Sequence, residues 1–231
     1  MATASAVIVA GGSGSRFGSE TPKQFFSLAG RPLLAHTLAR FESCSAVSRI
    51  VLVLPRADFQ SAHRLMEPYA GAKPTEIVPG GDSRQQSVKE GLSCLDPRPD
   101  DLVAVHDGAR PFADPELIER VIDASAQYGG AIAAIPVVET LKEVSTAMAI
   151  ERTVDRERYY RAQTPQCFRY ALLAEAFESA KKDGFVGTDE AALVERLGAT
   201  IHVVVGSERN IKVTTPEDME RAETYLKSDL A

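Results

Sequence analysis

Five short apolar runs, each rich in β-branched residues and bounded by turn residues, constrain the fold of this chain more than any other feature. They span residues 6–10, 50–54, 102–106, 131–135 and 201–205. Near-continuous apolar strands of this length are typical of a parallel sheet that is covered on both faces. Because helical patterns separate them, the chain is predicted to form an α/β fold, Rossmann-like and doubly wound, with a mostly parallel sheet.

Helix signals support this alternation of strand and helix. Residues 32–41 carry apolar side chains at helical spacing, and residues 83–95 do so more weakly. The segment 114–116 predicts a helix start with an Asp cap and Pro at the first position, and Gly129 is a suitable end. Residues 215–218 have a capping-box spacing that predicts the start of a C-terminal helix.

Residues 136–161 break the pattern because they become polar and roughly alternating. They predict an extended β-hairpin arm inserted in a single domain of residues 1–231. An isolated hairpin is hardly stable in water. We therefore expect the arm to pack on a second subunit, giving a homodimer.

Charge and cysteine content exclude several classes of protein. The net charge of −6 argues against a nucleic-acid polymer or an anionic membrane as the main partner. The three cysteines are far apart without a C-x-x-C pair, which favours a reducing cytoplasm.

No apolar stretch approaches the ~20 residues of a membrane helix, and the N-terminus lacks the basic region of a signal peptide.

A glycine-rich segment, residues 11–18, follows the first predicted strand, and Pro-Lys-Gln follows it at 22–24. Successive backbone N–H groups in such a turn form a concave anion site, to which Arg16 adds a phosphate-matching fork and Lys23 a compact charge. The spacing fits neither a dinucleotide fingerprint nor a Walker loop. The alternative is a tight turn with two solvated cations.

This loop resembles the signature of nucleotidyltransferases that attach a nucleoside monophosphate to a phosphorylated sugar or polyol. Further motifs match the cytidylyltransferase branch at residues 80–88, 105–111, 153–156, 163–166 and 210–214. Over nearly its whole length the chain resembles the 2-C-methyl-D-erythritol 4-phosphate cytidylyltransferase family of non-mevalonate isoprenoid biosynthesis. The resemblance implies transfer of CMP from CTP to this polyol phosphate, with release of pyrophosphate and with Mg²⁺ as cofactor.

The same resemblance implies roles for four catalytic cations. Arg16 and Lys23 match the residues that stabilise charge on the α-phosphate of CTP. Arg156 and Lys212, with Thr140, match those that hold the phosphate of the acceptor, and a shared arm would combine Arg156 of one chain with Lys212 of the other. The attacking phosphate monoester is mostly dianionic at neutral pH, so no general base is needed.

Nucleotide contacts are implied at backbone and small side chains in three loops. Ser87 is expected to meet the pyrimidine edge, helped by backbone groups near Gly81 and Asp82, although Asp82 or Ser83 is equally a candidate for an ordinary helix cap. The remaining expected contacts are Gly11, Gly12, Gly14 and Gly108.

Asp107 and Arg110 follow a predicted strand at its carboxyl end, where open α/β sheets bind ligands. Asp107 is expected first as a nucleotide contact and second as a Mg²⁺ ligand, with a structural Asp107–Arg110 ion pair as the alternative. The motif at residues 187–190 also looks familiar. Here Thr188 is expected to cap a helix, and no catalytic role is assigned.

Other functions stay open at this point. A ribitol-5-phosphate cytidylyltransferase shares the first loop and two of the motifs, and a nucleotide-binding protein without turnover is a further alternative. A dinucleotide-dependent oxidoreductase is disfavoured, because Phe17 takes the place of the third glycine and Pro55-Arg56 the place of a ribose-binding acid.

Overall fold

The computed structural model describes residues 1–12 and 22–229 and confirms the α/β class. A seven-stranded sheet forms its centre. In their order across the sheet, the strands are β11 (His202–Val205), β7 (Gly130–Pro136), β10 (Tyr160–Arg169), β6 (Leu102–Asp107), β1 (Ala4–Val9), β4 (Val47–Leu54) and β5 (Thr75–Pro79). All neighbours pair in parallel except β10, which is antiparallel to both β6 and β7.

Helices connect these strands, and two small hairpins lie outside the main sheet. The helices are α1 (Leu33–Ser43), α2 (Phe59–Met66), α3 (Arg84–Ser93), α4 (Pro115–Tyr128), α5 (Tyr170–Asp183), α6 (Glu190–Glu195) and α7 (Pro216–Asp229). The hairpins pair β2 (Ser27–Leu28) with β3 (Arg31–Pro32), and β8 (Leu141–Val144) with β9 (Ile150–Val154).

Several helix ends follow the sequence signals. Ser83 accepts a hydrogen bond from the backbone N–H of Gln86 at 3.1 Å and begins α3. Asp114 accepts one from the N–H of Leu117 at 2.7 Å and begins α4, and Gly129 ends that helix with φ of 89°. These ends confirm the predicted starts, because each cap satisfies a backbone donor that the helix leaves free.

The start of α6 differs from the prediction by one residue. Asp189, rather than Thr188, is the cap, and its carboxylate accepts from the N–H of Ala192 at 2.9 Å. The capping box before α7 forms as predicted: the N–H of Asp218 donates to Thr215 Oγ1, and the N–H of Thr215 donates to the Asp218 carboxylate.

Two apolar layers cover the sheet, as a doubly wound fold requires. Alternate side chains of β1 point to opposite faces, so Ala6 and Ile8 join one layer and Val7 and Val9 the other. Helices α1, α2 and α4 pack on the first face, and helices α3, α5 and α6 on the second. Because the helices cover the two faces of the sheet, the edge formed by the carboxyl ends of the parallel strands stays open for a binding site.

A hairpin forms within the predicted range 136–161 as β8–β9, with Leu141 paired to Val154, whereas Pro136 ends β7 and Tyr160 begins β10 in the main sheet. Its surface carries apolar side chains, among them Met148 at 80% exposure and Ile150 at 65%. Within residues 1–12 and 22–229, no helix combines the length and apolar character needed to cross a membrane.

Candidate active site

Glycines at the carboxyl ends of β1 and β5 pack against the first turn of α3. The N–H of Gly81 donates to Ser87 Oγ at 3.1 Å, and the buried Ser87 hydroxyl donates to the Gly81 carbonyl at 3.3 Å. A Cβ at Gly11 would lie only 2.6 Å from Ser87 Oγ. The structure therefore brings together three of the residues expected to contact the nucleotide, and Gly12 and Asp82 lie exposed beside them.

Lys23 and Gln24 connect the chain after β1 with the segment that carries Lys212. Lys23 Nζ donates to the Val213 carbonyl at 2.7 Å, directly beside Lys212. Gln24, which is buried, donates through Nε2 to the carbonyls of Ala10 at 2.7 Å and Gly12 at 2.9 Å. The sequence alone did not indicate this role of Gln24, although Gln24 lies in the Pro-Lys-Gln motif at 22–24. The expected contacts Gly14 and Arg16 lie outside the described residues.

Asp107 ends β6 and is surrounded by cations. Its Oδ1 accepts from Arg84 Nε at 2.9 Å, its Oδ2 lies 2.8 Å from Lys212 Nζ, and Arg110 Nε is 3.6 Å from Oδ2. Burial favours the neutral acid, but Arg84, Lys212 and Arg110 outweigh it and hold the pKa of Asp107 well below its usual range. Asp107 is therefore a carboxylate at neutral pH.

A buried polar network fixes the backbone at this point. The N–H of Asp107 donates to Thr164 Oγ1 at 3.0 Å, and the same oxygen lies 3.0 Å from His106 Nδ1. Burial lowers the pKa of His106 to about 4, so the ring is neutral at pH 7. His106 Nε2 lies 3.1 Å from the Arg110 carbonyl, which can only accept, so Nε2 carries the proton and Nδ1 accepts from Thr164.

Gly108 allows the chain after β6 to approach β1 closely. A Cβ there would lie 2.7 Å from Leu34 Cδ1 and 3.0 Å from Ala10 Cβ. The Thr37 hydroxyl holds the Gly108 carbonyl at 2.8 Å. The expected contact at Gly108 thus lies against Ala10, the residue that precedes Gly11.

Asn210 joins the Lys212 segment to the core. Asn210 is fully buried, and its side-chain Nδ2 donates to the Thr164 carbonyl at 2.9 Å. The backbone carbonyl of Asn210 accepts from the Arg110 guanidinium at 2.8 Å. In the part of the chain that the structure describes, Arg110 Nε and Asn210 Oδ1 are buried without a hydrogen-bond partner. Such groups usually have partners, and here they adjoin the charged cluster.

The arm residues are placed apart from this cluster. Thr140 and Arg156 are exposed, and Arg156 donates to the Val138 carbonyl within the arm. Within residues 1–12 and 22–229 of a single chain, no hydrogen bond or ion pair joins Thr140 or Arg156 to Lys212. Their roles stay predictions.

The described acidic residues fit a directly coordinated metal poorly. Residues 1–12 and 22–229 contain no group of three or more His, Cys, Asp or Glu side chains able to hold a metal ion. Both oxygens of Asp107 already face cations. Direct coordination would place the charge of the metal beside Arg84 and Lys212, which already neutralise this carboxylate, so repulsion between the cations disfavours it.

The sequence model of the protein family described as 2-C-methyl-D-erythritol 4-phosphate cytidylyltransferase matches residues 4–228 of this chain. The chain belongs to this family. A relative of that name from Syntrophus aciditrophicus is 45% identical over 225 residues, covering 97% of this chain and 96% of its own. One from Geotalea uraniireducens is 43% identical, covering 96% of each chain.

Solved structures agree with the family assignment. The 4-diphosphocytidyl-2C-methyl-D-erythritol synthase of Anaerococcus prevotii superposes with a TM-score of 0.85 at 32% identity, covering 98% of this chain and 96% of that one. The cytidylyltransferase of Thermus thermophilus gives 0.78 at 34%, covering 97% and 99%. The family match favours the methylerythritol branch over the ribitol branch, and an enzyme over a protein without turnover.

Proposed function

We propose that the cationic site around Asp107 carries out the reaction of the family, transfer of CMP from CTP to 2-C-methyl-D-erythritol 4-phosphate with release of pyrophosphate. The observation that carries this proposal is that Lys212 and Arg110 lie at Asp107, at the carboxyl end of β6, while Lys23 reaches the Val213 carbonyl next to Lys212 in the chain. Two phosphorylated substrates with several negative charges require such a set of donors.

The chemistry needs positioning and charge stabilisation rather than a base. The oxygen of the acceptor phosphate attacks the α-phosphorus of CTP, and the bond to the β-phosphate oxygen breaks, so that pyrophosphate leaves with its electron pair. Both ring nitrogens of His106 are engaged in buried hydrogen bonds. His106 is therefore a structural group beside the site rather than a proton acceptor.

Residue roles follow from this scheme. Arg16 and Lys23 stabilise charge on the α-phosphate, and the glycine-rich segment binds the triphosphate through its N–H groups. Ser87 and the backbone near Gly81 bind the cytosine edge. Lys212 and Arg110 face the acceptor from the core.

Mg²⁺ is proposed to enter with CTP. This ion prefers hard oxygen ligands and commonly keeps substrate phosphates and water in its shell, which suits a site without a described acidic cluster. When bound, it would neutralise charge on the triphosphate.

The arm is proposed to complete the site across a homodimer. Its exposed apolar side chains Met148 and Ile150 need a partner surface, and Arg156 and Thr140 would then reach Lys212 of the other subunit. Mixing inactive Arg16→Ala and Arg156→Ala chains tests this arrangement. Heterodimers should regain part of the activity, and a proven heterodimer without recovery would indicate self-contained sites.

A cytoplasmic location is proposed because Cys44, Cys94 and Cys167 are all free thiols.

The deciding experiment measures pyrophosphate release with CTP, ATP, GTP and UTP, each crossed with methylerythritol phosphate and ribitol phosphate, with and without Mg²⁺. Release confined to CTP with methylerythritol phosphate is expected. Release only with ribitol phosphate would keep the chemistry and change the acceptor, and no release with any pair would refute the proposed activity.

A further inference from the structure

The start of α6, which the sequence indicated only as a helix cap, reaches the charged cluster through Arg84. Glu190 is 1% exposed and accepts two parallel hydrogen bonds from the Arg84 guanidinium, at 2.7 and 2.9 Å. The third donor of Arg84, Nε, donates to Asp107 Oδ1 at 2.9 Å. Asp107 Oδ2 in turn holds Lys212 at 2.8 Å, so one line of contacts runs from Glu190 to Lys212.

Both ends of the Arg84–Glu190 pair are fixed by backbone structure. Arg84 is the first residue of α3, directly after its capping serine. Glu190 opens α6, and this end is tied to β10 because Gln166 donates to Asp189 at 2.8 Å and accepts from the Ala191 N–H at 3.0 Å. The planar guanidinium is therefore held in an orientation that directs its Nε–H at Asp107 Oδ1.

The Arg84–Glu190 pair also sets the balance of charge around Asp107. Without Glu190, the cations Arg84, Arg110 and Lys212 would face the single carboxylate Asp107. Glu190 neutralises Arg84, so Arg84 can orient Asp107 while the excess positive charge stays on Arg110 and Lys212. A buried ion pair is weak evidence for stability, because an apolar pair of similar volume is often as stable. The Arg84–Glu190 pair is therefore better explained by the group that it orients, Asp107, than by a gain in stability.

We propose that Arg84 and Glu190 are positioning residues that hold Asp107 and, through it, place Lys212 for the acceptor phosphate. This inference rests on the proposed function, in which Lys212 contacts the acceptor. Arg110 Nε lies buried 3.6 Å from Oδ2 of the same carboxylate and has no hydrogen-bond partner among the described residues, so Arg84 and Lys212 make the close contacts that hold Asp107.

The central test is the double variant Arg84→Met/Glu190→Met. Replacing both partners avoids an unpaired buried charge, so the protein is expected to fold with a melting temperature close to the original. A positioning role predicts that KM for methylerythritol phosphate rises at least ~10-fold while KM for CTP changes less than ~3-fold. Arg84→Lys, which keeps the charge but loses the fork, should recover only part of this loss.

The matched control is Lys89→Met/Glu178→Met, which removes an exposed ion pair of 2.9 Å between α3 and α5. It is expected to leave both KM values unchanged. Original kinetics in the Arg84→Met/Glu190→Met protein, or equal rises in both KM values, would overturn the proposal. If that double variant does not fold, Arg84→Lys and Glu190→Gln are measured in its place, with the same two outcomes.

A second measurement needs no reaction and separates this proposal from the proposed function. The ¹⁵Nζ signal of the Lys212 ammonium group is recorded by NMR at pH 7 in the original protein and in the Arg84→Met/Glu190→Met or Arg84→Lys variant. The variant signal is expected to shift or broaden, because Asp107 is no longer held by Arg84 and Lys212 loses its fixed partner. An unchanged Lys212 signal overturns the positioning role. Absence of turnover in the original protein would refute only the proposed function, and the Lys212 signal would then decide the role of the pair.

Discussion

Thr164→Val should weaken the fold more than its single lost oxygen suggests. The Thr164 hydroxyl accepts from the Asp107 N–H and lies against His106 Nδ1, both at 3.0 Å, and all three residues are buried. Valine keeps nearly the same shape, so the change removes polarity rather than volume. Each buried group left without a partner costs about 1–3 kcal/mol, and the two together cost roughly 2–6 kcal/mol.

Urea unfolding followed by circular dichroism measures this loss. With a slope of about 3 kcal/mol per molar urea, the midpoint should fall by about 1 M. Thr37→Val provides a graded control, because the buried Thr37 hydroxyl makes one hydrogen bond within the described residues, to the Gly108 carbonyl, and the variant should lose about half as much stability. Thr224→Val, on an exposed face of α7, should change the midpoint very little.

The slope of the transition must stay the same for this comparison to hold. A Thr164→Val midpoint equal to that of Thr224→Val would refute the argument, since it would mean that the two buried groups find other partners at no cost.

Three further predictions use other parts of the site. Lys23→Ala should leave CTP binding measurable by calorimetry but lower turnover at least ~100-fold, and near-normal turnover would remove Lys23 from the mechanism. Gly11→Ala should raise KM for CTP about tenfold, because its Cβ would lie 2.6 Å from Ser87 Oγ; an unchanged KM would show that Ser87 can move aside freely. The free energy of unfolding should fall as the pH drops from about 6.5 to about 4, because burial lowers the pKa of His106 to about 4 and the unfolded chain then binds the proton that the folded chain excludes. This contribution is about 3 kcal/mol in full. Urea unfolding at several pH values from 7 to 4 measures it, and the prediction is contradicted if the free energy of unfolding changes with pH equally in the original protein and in His106→Gln.

Local sequence determined most of the elements and the position of the site. The five apolar runs became β1, β4, β6, β7 and β11 because strand burial on both faces requires continuous apolar sequence. The caps at Ser83 and Asp114 and the end at Gly129 depend only on neighbouring residues, so they could be predicted from sequence. The glycine-rich segment and the motif around Asp107 likewise indicated the carboxyl edge of the sheet.

The antiparallel strand β10 could not be seen from local pattern. It carries the polar residues Gln163, Thr164 and Gln166 in the middle of the sheet, where the periodicity of a buried strand predicts apolar ones. These side chains are buried because each finds a partner in another segment, such as Thr164 at Asp107 and Gln166 at α6. Such a strand becomes stable only once its neighbours are in place.

The electrostatic arrangement was likewise decided by tertiary structure. Arg84 and Glu190 are separated by 106 positions in the chain, and Lys23 and Val213 by 190. Hydrophobic period and capping act over a few residues and are written in local sequence, whereas a buried ion pair depends on the order of strands that brings distant segments within hydrogen-bond distance. The sequence alone therefore determined which chemical groups the chain carries near its site, and the packing of the sheet decided which of them hold Asp107.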